Sequence, residues 1–416
     1  MIFKILYCAF LVISLFYPTV PLLGPISLRH FFSILFLILC LHEGGFKLDK
    51  FLCWYMAFML FYLIGALMTG YMGIVVNRFV GTYFASIILY LSTKIMIEKY
   101  DSGFLIICLL VALGLLNAVV CIGHFFNNPI ADIIHKILRI EMGEKQIDLY
   151  EKFDDLHGAW VGGLLGVVAS GYFLSATCVL ALYNRKGIIQ WYNWIVFAVI
   201  LMGLFLVQER SGLAAGLIFT FIFFALNSVR KPSNLAISFL VFPIAVAIIS
   251  IYGSNIVSYE NMRYSTLGMN DEHRLDYALN ALRWVMQNPL GCNYAYYDEG
   301  GHYPHNFIAN AFLHGGVFGG IILLMIVWKQ MKKIFIVFWN YRRTNRYNTL
   351  LLVCCCAYMC YTMNSFFHNY SLVSGGEMIF LLWAVISSQM DMEENEEIEE
   401  DEEDKEDKEY FIDYVT

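Results

Sequence analysis

The chain has 416 residues, 59% of them hydrophobic, and a mean hydropathy of +0.62. A soluble domain is about half apolar, so this composition excludes a single water-soluble core. The net charge of −7 hides an asymmetry: residues 391–416 hold 15 acids and 2 lysines, which leaves 19 acids and 25 bases, net +6, in residues 1–390.

Apolar runs of about 17 to 25 residues, the length that crosses a bilayer as a helix, recur along the chain. In lipid every backbone polar group needs an internal partner, so these runs are predicted helices. The predicted spans are 2–22, 28–43, 51–70, 76–93, 103–125, 158–183, 190–208, 212–228, 234–252, 306–328, 347–368 and 371–390. The first, "MIFKILYCAFLVISLFYPTV", has the apolar stretch of a signal peptide but no small-x-small cleavage site, and is read as an uncleaved helix. The expected fold class is all-α: a polytopic integral membrane protein of about twelve transmembrane helices over residues 1–390. Residues 391–416 are expected to form a disordered cytoplasmic tail, because like charges repel and nothing offsets the cost of ordering them.

Orientation follows from Lys and Arg in short loops. Lys47 and Lys50, Lys94 and Lys99, Arg185 and Lys186, and Arg230 and Lys231 occupy alternate loops. The cluster Lys329, Lys332, Lys333, Arg342, Arg343 and Arg346 continues the alternation. This pattern predicts both termini in the cytoplasm and two long loops, 126–157 and 253–305, outside. Each loop carries an amphipathic helix signal: Ile130, Ile133, Ile134, Ile137 and Leu138 in the first, and Leu275, Ala278, Leu279, Leu282 and Met286 in the second. Asp271 is placed to cap the second helix, and Pro289, Leu290 and Gly291 to end it. Both helices are expected on the outer membrane surface.

The 11 cysteines show no metal-ligand spacing and fall mostly in spans, where they act as small apolar residues. No metal or cofactor is expected. The informative residues are charges at the outer ends of spans, since an Arg at mid-membrane costs roughly 2.5–3.5 kcal/mol. The stretch "LVQERSGLAAGL" (206–217) places Glu209 and Arg210 in a tight turn between two spans. Either the two pair and snorkel to the interface, or Arg210 offers its guanidinium to an anion beside a helix N-terminus. Arg78, near the start of the fourth span, has the same two readings. Arg283 reads as part of a solvated face; Arg274, at the start of the loop helix, fits that reading less well. His305 and Asn306 enter a span on the same side, ahead of Gly315, Gly316, Gly319 and Gly320, small residues that let a neighbouring helix approach closely. A lone His at a helix start is commonly a cap. A His and an Arg on one membrane face match a cation that holds a phosphate and an imidazole that handles a proton. His157, His302 and His368 lie near the same side and rank below His305.

The stretch 272–323, "EHRLDYALNALRWVMQNPLGCNYAYYDEGGHYPHNFIANAFLHGGVFGGIIL", resembles the bacterial O-antigen ligase and O-antigen polymerase superfamily. The matching places are Arg274, Pro289, Gly291, His305, Asn306, Gly316 and Gly319, and "ERSG" resembles the family's short external turn at Arg210. Two places depart. Asn293 stands where a second Gly is usual, and the sixth span opens "DDLHGAWVGG" where many members carry an Arg-Gly and an Asn.

The resemblance implies a GT-C-like membrane glycosyltransferase of the bacterial inner membrane, with its active site facing the periplasm. Such an enzyme takes glycan from an undecaprenyl-diphosphate-linked donor and passes it to a hydroxyl of a glycan or lipid-linked glycan acceptor, with inversion and without a metal. In that reading Arg210, helped by Arg274, neutralises the leaving diphosphate. His305 takes the acceptor's proton, and Asn306 holds the imidazole or the sugar. Arg78, Glu209 and Tyr294 join the substrate-binding set. Tyr294, Tyr296, Tyr297 and Trp284 either stack on sugar rings or anchor at the interface. The expected function is polymerisation of lipid-linked repeat units into O-antigen or capsular polysaccharide. The alternatives are the ligase that moves finished glycan to lipid A core and a flippase for lipid-linked sugars. A transporter tends to carry its charges at midplane within repeated halves, whereas these sit at the outer edge and no repeat is evident. Membrane lipid and a chain-length regulator complete the partners considered; nucleic acid is not expected.

Overall fold

The computed structural model describes residues 2–16, 21–23, 26–43, 48–126, 128–138, 164–165, 167–185, 189–207, 209–230, 273–344, 348–367 and 372–394. The predicted span 234–252, loop residues 139–157 and 253–272 (with Asp271 and His157), His368 and the tail beyond 394 lie outside the described residues.

Helix α1 is Ile2–Phe16, α2 is Leu28–His42 and α3 is Lys50–Thr69. Between α1 and α2 a short antiparallel pair forms, β1 (Pro21–Leu23) with β2 (Ile26–Ser27). The helix expected to reach residue 22 thus stops earlier. Pro18, Pro21 and Pro25 lack the N–H groups that a helix needs. Next come α4 (Met72–Arg78), a π-helical turn (Phe79–Tyr83) and α5 (Phe84–Glu98), then α6 (Gly103–Phe125) and α7 (Pro129–Leu138). Beyond the first long loop are α8 (Val167–Leu180), α9 (Trp191–Leu206) and α10 (Arg210–Arg230). The second loop contributes α11 (Arg274–Gln287) and α12 (Asn293–Asp298). Then follow α13 (Phe307–Thr344), α14 (Thr349–Ser365), a 3-10 turn (Leu372–Ser374) and α15 (residues 377–394). Five stretches are long and apolar enough to cross a bilayer: Lys50–Thr69, Met72–Glu98, Gly103–Phe125, Arg210–Asn227 and Phe307–Arg343. Helices α1, α2, α8, α9 and α14 are shorter and also apolar.

Local caps set the helix ends. Asp49 accepts the Leu52 N–H at 2.9 Å to start α3, and Asn348 accepts the Leu351 N–H at 2.8 Å to start α14. Alternating helix directions give the bundle two polar ends. One gathers Lys94 at 3.3 Å from Asp49, 3.7 Å from Glu98 and 3.5 Å from Asp391, with Lys99 at 3.2 Å from Glu43. Helix α15 runs four residues past 390, so Asp391 belongs to this network and the acidic tail starts later than its composition suggests.

The opposite end, called here the Arg78 end, is built around a wedge. Residues 288–293 dip between α3 and α13. The Pro289 carbonyl accepts the Val317 N–H at 2.9 Å, and α13 is broken at that point, with Gly316 at φ 62° and ψ −164°. Gly65 of α3 faces the Leu290 carbonyl so closely that a Cβ there would lie 2.9 Å from the oxygen. Thr69 contacts Cys292 at 3.2 Å. Gly315 and Gly319 face Phe58 and Phe61 of α3, so the small residues of α13 do serve a close helix contact.

The apolar face of α11 is split. Ala278, Ala281 and Val285 pack on Ala309 and Leu313 of α13, because alanines permit close approach. Leu275 and Met286 are 68% and 76% exposed, facing away from the protein. A left-handed backbone and a filled neighbourhood make Gly316 irreplaceable. Gly316→Ala should cost about 2–4 kcal/mol, from the φ penalty plus overpacking against Pro289. Thermal unfolding in detergent measures it; melting at the wild-type temperature would mean that Pro289 does not sit in the helix break.

Candidate functional site

Arg29 and Arg78 both enter the bundle at the Arg78 end, and they are treated differently. Arg29, in the first turn of α2, is buried and lies 2.5 Å from the Glu377 carboxylate, at the start of α15. Its other nitrogen donates to the Gly81 carbonyl in the π-helical turn. This buried ion pair ties three helices together. Sequence reasoning passed over both residues, although the signal was present: single charges of opposite sign at the same-side ends of two spans.

Arg78 sits at the junction of α4 and the π-helical turn, about 9 Å along the helix from Met72. Its guanidinium lies 5.9 Å from the Tyr83 ring centroid and within hydrogen-bonding reach of the Tyr294 hydroxyl. Its charge acts on Tyr62, Tyr83, Tyr297 and His314. Tyr294 and Tyr297 belong to α12, which follows the wedge directly. Tyr62 of α3 donates to Asn293 Oδ1 at 3.0 Å and so holds α12 in place. Tyr71 stacks on Tyr294 with centroids 6.2 Å apart and donates to Asp298 at 2.7 Å. That hydrogen bond to a carboxylate is the main cause that raises the Tyr71 pKa. Burial chiefly raises Tyr297 above its ordinary range, with Arg78 opposing, so its hydroxyl remains a donor.

His314 was not singled out from the sequence. Asn306, Asn310 and His314 recur at steps of four along α13, a polar stripe that the glycine pattern overshadowed. His314 is only 4% exposed. Its Nδ1 donates to the Asn310 carbonyl at 2.9 Å, and its ring lies 5.1 Å from that of Tyr62.

His305 stands above this cluster with an exposed ring and φ 41°, in the left-handed region. That turn delivers the chain into α13. Asn306 then caps the helix, accepting the Ala309 N–H at 3.1 Å and donating to the Phe366 carbonyl at 3.4 Å. A ladder of rings runs from the wedge to His305: Trp284 to Tyr296 (5.5 Å), Tyr296 to Tyr297 (5.6 Å), Tyr297 to Tyr303 (5.9 Å) and Tyr303 to His305 (5.0 Å). Arg274 opens α11, three residues before Tyr277, whose ring packs on His302 at 4.8 Å.

Arg210 opens α10, and Glu209 precedes it with 2% exposure. The Glu209 carboxylate accepts from Ser211 Oγ at 2.9 and 3.1 Å and from the Gly212 N–H, closing the N-terminus of its own helix. It packs on Gly171 of α8, where a Cβ would lie 2.6 Å from the Glu209 Cβ. Tyr172 donates to the Asn364 carbonyl at 2.8 Å, and Asn364 Nδ2 donates to Ser175 Oγ at 3.0 Å. One chain of contacts between the Arg210 turn and His305 runs through α8, the end of α14 and Phe366. The Arg78 charge acts on Tyr297, a member of the ring ladder that ends at His305.

A cavity of about 660 Å³ opens at the other end of the bundle, between Phe104 and Leu115 of α6 and Val196 of α9. Its amides satisfy one another: Asn184 donates to Asn193 Oδ1 at 3.3 Å, and Asn193 donates to the Ala181 and Tyr183 carbonyls. Its wall is mostly apolar, with Arg185 and Gln190 also on the lining.

The fold defines a polytopic α-helical membrane protein with a segment wedged between α3 and α13 and a cluster of polar and aromatic side chains at one end. The chain matches no family model, no curated protein and no solved structure. The Tyr62–Asn293 bond anchors this cluster. Asn293→Ala should cost about 1–3 kcal/mol by stranding the buried Tyr62 hydroxyl, and adding Tyr62→Phe should recover part of that loss. Unfolding of the two single variants and the double variant tests this; strict additivity would mean the bond contributes nothing.

Proposed function

We propose that this protein is a membrane glycosyltransferase that takes glycan from a lipid diphosphate at its Arg78 end, with that end facing the periplasm. The observation that carries the reading is His305: an exposed imidazole held in a left-handed backbone at the threshold of α13, on a run of aromatic rings that reaches Tyr297, on which the Arg78 charge acts. Backbone strain of this kind persists where the surroundings impose it and is concentrated at active sites. The resemblance of residues 272–323 to the O-antigen ligase and polymerase superfamily points the same way.

In this mechanism the acceptor oxygen bonds to the anomeric carbon as the bond from that carbon to the diphosphate oxygen breaks. His305 receives the acceptor's proton, worth about 10²–10⁴-fold. The electron pair leaves on the diphosphate, where Arg210 and Arg274 neutralise the growing charge; a lost donor of this type costs roughly 3–4 kcal/mol. Glu209 fixes the turn that presents Arg210, and Asn306 fixes the turn that presents His305. The lysine-rich end is cytoplasmic, in line with the alternation of basic loops. Polymerisation of lipid-linked repeat units is the first reading, and the acceptor separates it from ligation.

His305→Ala and Arg210→Ala should each reduce chain growth by about 10²-fold or more at unchanged expression, while His368→Ala should do little. Purified protein in detergent, given lipid-linked repeat units, should lengthen them. A folded protein that makes no product would favour transport instead. In cells, deletion that leaves single repeats on lipid A core marks a polymerase; deletion that leaves bare core marks a ligase.

A further inference from the structure

We propose that Arg78, Tyr294, Tyr297 and His314 form a second site, inside the bundle, that binds a singly protonated phosphate monoester. The site shares Arg78 and Tyr294 with the substrate-binding set of the glycosyl-transfer reading, but its test reads binding alone, so the two can fail separately. A cation within a membrane span needs a partner, and its presence there marks function by default. Arg29, at the same end, has Glu377. Among the described residues no carboxylate pairs with Arg78, and its near neighbours are neutral phenols. The His314 ring lies 5.1 Å from Tyr62, which lies 6.3 Å from Tyr83, the ring that Arg78 faces at 5.9 Å. Its Nδ1 proton is committed to the Asn310 carbonyl, so Nε2 carries the lone pair. Among the described residues that buried Nε2 has no hydrogen-bond partner, and neither has the buried Tyr297 hydroxyl. Native proteins seldom leave such groups unpaired.

The backbone is irregular on every side of these groups. A π-helical turn follows Arg78, α13 breaks at Gly316, and the wedge 288–293 comes in between. Irregular backbone at membrane depth is tolerated where it is buried in protein or lines a cavity, and broken helices at that depth form ligand sites in membrane proteins. The available groups then specify the ligand. The guanidinium and two phenols donate to anionic oxygens. Nε2 accepts, so the ligand must also bring a hydroxyl. A monoprotonated phosphate monoester supplies both and carries the one negative charge that Arg78 lacks. A phosphodiester or a sulfate has no P–OH and would leave Nε2 stranded. The headgroup of a monoester lipid and free phosphate share this chemistry.

The test is thermal unfolding and titration of the full chain in detergent with short-chain phosphatidic acid, inorganic phosphate, and phosphatidylcholine of equal chain length. Phosphatidic acid should raise the melting temperature and phosphatidylcholine should not. A shift with inorganic phosphate identifies a free-anion site; a shift with the lipid alone identifies a headgroup site. Arg78→Gln should weaken binding roughly tenfold or more, and His314→Gln should weaken it severalfold. Arg78→Lys, which keeps the charge, carries the test if Arg78→Gln fails to fold. His305→Ala, inactive in chain growth on the reading above, should bind the monoester as the wild type does. No monoester-dependent shift in the wild type overturns the proposal. So does wild-type affinity in the Arg78 and His314 variants, or a loss of binding seen only with Arg210→Ala.

Discussion

The Pro289 carbonyl that accepts the Val317 N–H is the contact on which the Arg78 end depends. It replaces a bond that α13 gives up at Gly316, so the helix can break without leaving a donor exposed to lipid. The break makes room for residues 288–293, and the wedge in turn places Asn293, Tyr294 and Tyr297 against α3 and Arg78. The glycines at 65 and 316 are needed for the same reason, since a side chain at either would meet wedge backbone.

Much of this architecture was legible in the sequence, and the failures have physical causes. Hydropathy located the five long apolar helices and several shorter ones, because lipid imposes one simple requirement on the backbone, while the expected number of about twelve spans is not established among the described residues. The loop helices at 129–138 and 274–287 were readable from their periodicity. Composition could not see where α1 would stop, because three prolines outweigh an apolar run. Nor could periodicity show that α11 divides its apolar residues, giving alanines to the protein and Leu275 and Met286 to the exterior. The site was legible in part. Charges at span ends drew the eye to Arg78, Arg210 and His305. His314 and the Arg29–Glu377 pair were missed, because a His among glycines and single charges at span ends look ordinary until the chain brings their partners together.

The two polar ends also differ in kind. At the Lys94 end one ammonium faces three carboxylates, so negative charge is in excess there. At the Arg78 end charge is rationed. Glu377 answers Arg29, the Glu209 carboxylate accepts at its own helix N-terminus, and among the described residues Arg78 has phenols as neighbours and no carboxylate. Tyrosine suits that role: it solvates a cation with hydroxyls and ring faces yet brings no negative charge of its own. The result is a cation that is stabilised in place without being neutralised, which keeps it able to attract an anion.

His305 poses the last question of balance. A left-handed backbone costs a residue with a Cβ roughly 1–2 kcal/mol. Three neighbours hold it there: Tyr303 against the ring, Asn306 as cap, and the Phe366 carbonyl as that amide's second partner. The cap alone contributes about 1 kcal/mol, so the conformation is nearly offset locally. A glycine would adopt this turn with no penalty, and only its lack of a side chain would tell against it. The backbone at 305 therefore favours glycine while the position holds an imidazole, exposed to solvent on a run of aromatic rings that reaches Tyr297, on which the Arg78 charge acts. That conflict between conformation and side chain is resolved if the imidazole has work to do there.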